Sequence, residues 1–135
     1  MYTIICADND ASTIYGHVTM PDGWNAGTVT FELSVLQAAD EQAAIQGDVD
    51  CQCRGDGEAI SNTWSTSPIA IDDTTTGVNK VDTATSAAVT CAGTCAAGDQ
   101  LVWRYQVDAE GTAATVATLH FLNMKMEFTK TIGDE

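Results

Sequence analysis

The chain has 135 residues, 44% of them hydrophobic and 18% charged, with 19 acidic side chains against 5 Lys and Arg and a formal net charge of −14. That balance argues against a disordered chain, and it disfavours nucleic acid as a partner because the surface repels phosphate backbones. No apolar run approaches the ~20 residues of a membrane-spanning helix, so no membrane partner is expected, and a single domain over 1–135 is the expectation for this length.

The N-terminus, Met-Tyr-Thr-Ile-Ile-Cys-Ala, lacks a basic n-region and is too short for a secretory h-region, which points to synthesis and folding in a cytoplasm. Residues 2–6 alternate as a short strand, broken by Asp8-Asn-Asp10; residues 1–13 read as an arm available for contacts. A second strand over Ile14–Met20 sets Ile14, Val18 and Met20 against Tyr15, His17 and Thr19. Pro21, Asp22 and Gly23 supply turn chemistry. The strand from Thr28 to Leu36 then places Val29, Phe31, Leu33 and Val35 on one buried face.

Residues 37–47 carry the chain's helical accent, with Asp40 as N-cap and Gly47 as stop for a turn or two of helix. From Gly47 to Arg54, Val49, Cys51 and Cys53 alternate with polar residues. Gly55-Asp-Gly57 ends that strand, Glu58–Trp64 reads as a loop with one helical turn, and a strand at 67–72 carries Ile69 and Ile71 inward. The Thr- and Ala-rich residues 79–91 predict a weaker, interrupted edge strand, and Cys91–Asp99 a loop. Leu101, Trp103, Tyr105 and Val107 form the inner face of a further strand. In the last strand, 117–130, Leu122, Met124, Met126 and Phe128 share a face while Leu119 and Phe121 fall on the other; either a bulge near Asn123 shifts the register or the first half is covered on both faces. These elements predict an all-β, antiparallel eight-stranded β-sandwich, jelly-roll-like, although strand count alone does not separate a jelly roll from other Greek keys.

Few residues announce chemistry. Cys51-x-Cys53 and Cys91-x-x-x-Cys95 offer four thiolates for zinc, but the usual spacing is Cys-x-x-Cys, and ligands two apart on a strand strain a tetrahedron. The cysteines therefore read first as small packed residues, with a Cys91–Cys95 disulfide as the alternative. Only His17 and His120 are available as bases, so no catalytic residue, cofactor or metal site is assigned and no enzyme is expected. Asp8/Asp10, Asp48/Asp50 and Asp72/Asp73 lack EF-hand spacing and read as solvated carboxylates. Trp103 reads as core, whereas Trp24 and Trp64, each following turn or loop residues, either cap the fold or meet a neighbouring subunit.

Four blocks, Met20-Pro-Asp-Gly-Trp-Asn-Ala-Gly-Thr-Val-Thr-Phe31, Gly47-Asp-Val49, Gly55-Asp-Gly-Glu-Ala59 and Ala92-Gly-Thr-Cys-Ala-Ala-Gly-Asp99, resemble small structural proteins of tailed bacteriophages over roughly residues 14–130. The most specific block is Pro-Asp-Gly-Trp-Asn; Cys91 and Cys95 depart from the pattern, standing where Pro is expected. The resemblance implies a non-enzymatic virion protein on the capsid surface, made in the host cytoplasm: a decoration (cement) protein whose partner is the major capsid protein. A receptor- or glycan-binding module of a head or tail fibre is the alternative. It also implies a homo-oligomer, trimer first and dimer second. Contacts are expected from Tyr2, Ile4, Pro21, Asp22, Trp24 and Trp64 and from the tail 130–135.

Overall fold

In a computed structural model, the described residues are 4–7, 13–37, 44–45, 47–60, 64, 69–70, 73–74, 77, 79–107 and 118–130. They form ten strands: β1 (Ile4–Ala7), β2 (Thr13–Thr19), β3 (Trp24–Gln37), β4 (Ala44–Ile45), β5 (Gly47–Arg54), β6 (Ile69–Ala70), β7 (Asp73–Thr74), β8 (Val81–Thr85), β9 (Gln100–Val107) and β10 (Thr118–Lys130). All pairings between them are antiparallel, and no helix occurs among the described residues. The expected count of eight is therefore corrected. Six strands of five residues or more, β10-β3-β8 and β2-β9-β5, build three-stranded bodies for two sheets. The short β1 and β6 extend one edge of each, and β4 pairs with β7 as a separate ribbon.

The period-two reading holds where the strands are long. Val29, Phe31, Leu33 and Val35 of β3 are buried, as are Val49, Cys51 and Cys53 of β5 and Leu101, Tyr105 and Val107 of β9. These residues of both sheets belong to one core cluster, so the sheets face each other sandwich-like. Trp103 spans the gap: its ring lies 6.5 Å from that of Phe31 and stacks 6.4 Å from that of Phe121, both in the opposite sheet.

The parity problem in β10 is resolved by a bulge. Phe121 pairs with Val35 and Asn123 with Ser34, so Leu122 is the extra residue and the register moves by one. Phe121 before the bulge and Met124, Met126 and Phe128 after it all pack against the core.

β3 begins at Trp24 rather than Thr28. The Trp24 N–H donates to the Pro21 carbonyl (3.2 Å) across a turn with Gly23 at φ 82°, the type II position that glycine fills. A second irregularity follows, because Trp24 pairs with Lys130 while Val29 pairs with Phe128. Between them the Gly27 N–H donates to Asn25 Oδ1 (2.9 Å) and Ala26 adopts φ 57°.

Most of the expected 37–47 helix lies outside the described residues. Its described part is corrected, since Ala44–Ile45 are strand and Gly47 opens β5. Of the expected loop helix at 58–64, Glu58–Ile60 are non-helical, and 61–63 lie outside the described residues. The weak edge strand is present as β8, interrupted before an isolated Val29–Val89 bridge.

Two glycines make room for the aromatics of β9. A Cβ on Gly16 would fall within the Trp103 indole, and one on Gly47 would meet the Tyr105 ring. Gly16→Ala should therefore displace Trp103 from Phe31 and Phe121 and destabilise the fold by about 1–3 kcal/mol, the range for overpacking a filled core. Urea denaturation followed by tryptophan fluorescence measures it, and an unchanged midpoint would contradict this packing.

Candidate functional site

Two places in the fold gather chemistry. The first is the outer face of the β2-β9-β5 sheet. Asp50 on β5 lies opposite Arg104 on β9, and the pair closes as a fork, Nε to Oδ1 at 2.7 Å and Nη2 to Oδ2 at 2.8 Å. Asp50 is only 2% exposed and its neighbour Gln52 is fully buried, although both point away from the core. Asp50 thus corrects the solvated reading of the Asp48/Asp50 pair. Hydrogen bonding to Asp50 raises the Arg104 pKa above its usual value against the opposing effect of burial.

Trp64 completes the arrangement. The Arg104 guanidinium carbon sits 4.6 Å from the Trp64 ring centroid, a cation–π contact, and the Tyr15 ring lies 6.0 Å from Trp64 on the other strand. Beside this stack runs an open cavity of about 420 Å³ lined by Tyr15, Gly16, His17, Ile60, Gln100 and Val102. Tyr15 and Ile60 are 61% and 66% exposed, large apolar surfaces left in water at the rim.

The second place is a covalent clasp. Cys51 is bonded to Cys91 and Cys53 to Cys95, with Cα–Cα separations of 4.7 and 5.1 Å. This corrects both cysteine expectations: the four are not free packing residues, and Cys91 is not joined to Cys95. Cys51 and Cys53 share the inner face of β5, and the segment Cys91–Cys95 runs alongside it. The Cys53 N–H donates to the Ala92 carbonyl (2.8 Å), and the Ala92 N–H to the Cys51 carbonyl (3.0 Å). Gly93, at φ 90°, brings the chain so close to the Cys53 carbonyl and the Arg54 side chain that no Cβ fits. The fifth cysteine, Cys6, lies in β1 opposite Leu119.

The residues expected to make contacts are dispersed. Tyr2 lies outside the described residues, and Ile4 pairs with Phe121 in β1 at the edge of its sheet. Pro21 and Asp22 are exposed on the β2–β3 turn. Trp24 is buried in the core, its indole N–H meeting no acceptor among the described residues, while Trp64 lies half-buried on the outer face. Compared with family models, curated proteins and solved structures, the chain matches none.

Two measurements test these arrangements. Arg104→Met strands the Asp50 carboxylate where water does not reach it and should cost about 3 kcal/mol; Asp50→Leu should cost less, because Arg104 keeps partial access to solvent. The double variant should recover most of the loss, so additive losses in a double-mutant cycle would show the pair to be uncoupled.

The disulfides close loops of 40 and 42 residues over almost the same chain. Once one is closed, the other has only a short ring left to constrain. Replacing either pair by Ser should then cost roughly 2 kcal/mol and replacing both roughly 6, more than the sum of the two. Chemical denaturation of the three variants checks this, and simple additivity would refute it.

Proposed function

We propose that the protein is a non-enzymatic virion component of a tailed bacteriophage, a decoration protein that sits on the major capsid shell and reinforces it. The observation that carries this reading is the Pro-Asp-Gly-Trp-Asn block. It is the most specific part of the phage resemblance, and it folds as a tight exposed turn, with Pro21 and Asp22 outward and Trp24 anchoring it in the core. A projecting turn held at its base presents side chains to a neighbour with little ordering cost on binding.

The strand order supports the same class. With the short edges included, β1-β10-β3-β8 faces β2-β9-β5-β6, and β1, β2, β3 and β5, like β8, β9 and β10, alternate between the sheets. We read this as a jelly roll, the double Greek key used by many capsid and lectin domains. The formal charge of −14 suits a face turned to solvent on a crowded particle. On this reading the major capsid protein is the partner, the subunits associate as trimers first and dimers second, and the chain is made in the host cytoplasm before joining the virion.

A second reading has its own observation. The cavity beside exposed Tyr15, with Trp64 and Arg104 adjoining, is a surface on which a sugar ring can stack, as a fibre's glycan-binding module would need. One experiment separates the two. Purified protein added to capsids stripped of it should rebind and raise the temperature at which the shells fail. Absence of capsid binding together with attachment to host cells, abolished by Trp64→Ala, would replace the decoration reading with the receptor one.

A further inference from the structure

The four cysteines of the clasp do more than form two independent bridges. The Sγ atoms of Cys53, Cys91 and Cys95 all lie within 4.8 Å of one another, and the Cys91 sulfur is the one bonded to Cys51. Three sulfurs are thus mutually close, and the fourth, that of Cys51, is tied to them through its bond to Cys91. A zinc ion held by four thiolates at about 2.3 Å needs its sulfurs roughly 3.8 Å apart. With the S–S bonds opened, sulfurs that already lie within 4.8 Å of one another start close to that spacing.

The backbone that carries them is held by bonds the disulfides do not supply. Val89 exchanges hydrogen bonds with Val29 (2.7 and 3.0 Å), Ala92 bonds to Cys51 and Cys53, and the Met20 N–H donates to the Asp99 carbonyl (2.8 Å) while the Gly98 N–H donates to that of Met20 (2.8 Å). The segment from 89 to 99 is thereby fixed to three different strands or turns, and opening the S–S bonds leaves the thiols facing one another.

Two further observations suit a metal. Zinc bound by four thiolates carries a net charge of −2, and the Arg54 guanidinium, whose Nη1 donates to the Cys53 carbonyl (2.8 Å), stands beside the cluster. A polar cleft of about 390 Å³ lined by Arg54, Glu58, Ala59, Gly93 and Thr94 opens next to it and offers an entry path, while Cys91 and Cys95 are only half-buried.

We propose that in its reduced form the chain binds one soft divalent cation, zinc by preference, through Cys51, Cys53, Cys91 and Cys95, so that the same four residues staple the fold by metal under reducing conditions and by disulfides under oxidising ones. Each disulfide takes two electrons and two protons from a dithiol reductant, which is itself oxidised to a disulfide, and yields two thiols. The cation then displaces the thiol protons to solvent as the four sulfurs bind it. This inference does not depend on the function proposed above, and it answers the spacing objection raised from the sequence: two of the ligands share a strand, but the other two come from a segment that backbone hydrogen bonds hold alongside it.

The test is a cobalt titration of the full chain, reduced and kept anaerobic. Expected are intense thiolate-to-cobalt charge-transfer absorption and tetrahedral d–d bands that saturate at one Co²⁺ per chain and disappear when Zn²⁺ is added. The oxidised chain should give neither signal. Cys91→Ser and Cys95→Ser should each weaken cobalt binding by more than the roughly 10–100-fold typical of losing an outer-sphere partner, and Cys6→Ser should leave it unchanged. A reduced wild-type chain without thiolate–cobalt absorption, whether folded or not by circular dichroism, overturns the proposal. Cobalt binding by Cys95→Ser as tight as that of the wild type, or absorption lost in Cys6→Ser, overturns it as well.

Discussion

Ten residues, Ser86–Cys95, hold the two sheets in register with each other. At one end the Ser86 N–H donates to the Phe31 carbonyl while Ser86 Oγ accepts from the Phe31 N–H, so this end belongs to the β3 sheet. At the other, Ala92 is bridged in parallel to Gln52 and the flanking cysteines are bonded to β5. The apolar core between the sheets is non-directional and would tolerate sliding. Hydrogen bonds and covalent bonds fixed to both sheets do not. The packing of Trp103 between Phe31 and Phe121 depends on that registration, because its slot is closed by Gly16 on one sheet and by two aromatic rings on the other.

The same sheet, β2-β9-β5, is buried on its core side and partly covered outside, and the outer layer follows a different logic. There the interior is apolar only in part, and the Asp50–Arg104 fork with Trp64 over it replaces hydrophobic packing. A buried ion pair contributes little net stability against an apolar substitute. It does specify geometry, because the cation–π contact requires the Trp64 ring to lie over the guanidinium. The exposed rings and chains nearby, Tyr15 and Ile60, are then left at the rim of the cavity, where an added ligand would extend an existing stack.

The strands were legible in the sequence wherever one face meets the core and the other meets water. Val29 to Val35 follow a strict period of two and Leu101 to Val107 nearly so, and the parity switch near Asn123 was visible, although the sequence left a bulge and a strand half covered on both faces as alternatives. Trp24 was not legible as core, because the Asn25–Thr28 irregularity interrupts the alternation between it and Val29. Asp50 was misread because its partner, Arg104, lies 54 residues away on β9 and nothing local announces the pair. The cysteine pairing was hidden by distance along the chain. Two residues of like parity on a strand signal a common face, but nothing local identifies a loop 40 residues away as their partner. β6 lies within the strand expected at 67–72, whereas β4 and β7, of two residues each, carry no pattern long enough to read. The phage resemblance rests on sequence blocks alone.

The clasp also has a mechanical meaning. A chain pulled from its two ends transmits force along covalent bonds, and the Cys51–Cys91 bond is a shortcut across the 40 residues between them. At about 3.5 Å per extended residue, roughly 140 Å of chain is thereby withheld from extension. The end of β5, β6, β7 and β8 lie inside that closed loop and carry no tension. Load falls instead on β1, β2, β3, β4, the start of β5, β9 and β10. Of these, the two pairs that run longest together, β3 with β10 and β9 with β2, are antiparallel over seven residues or more, the arrangement in which many hydrogen bonds share a shearing force.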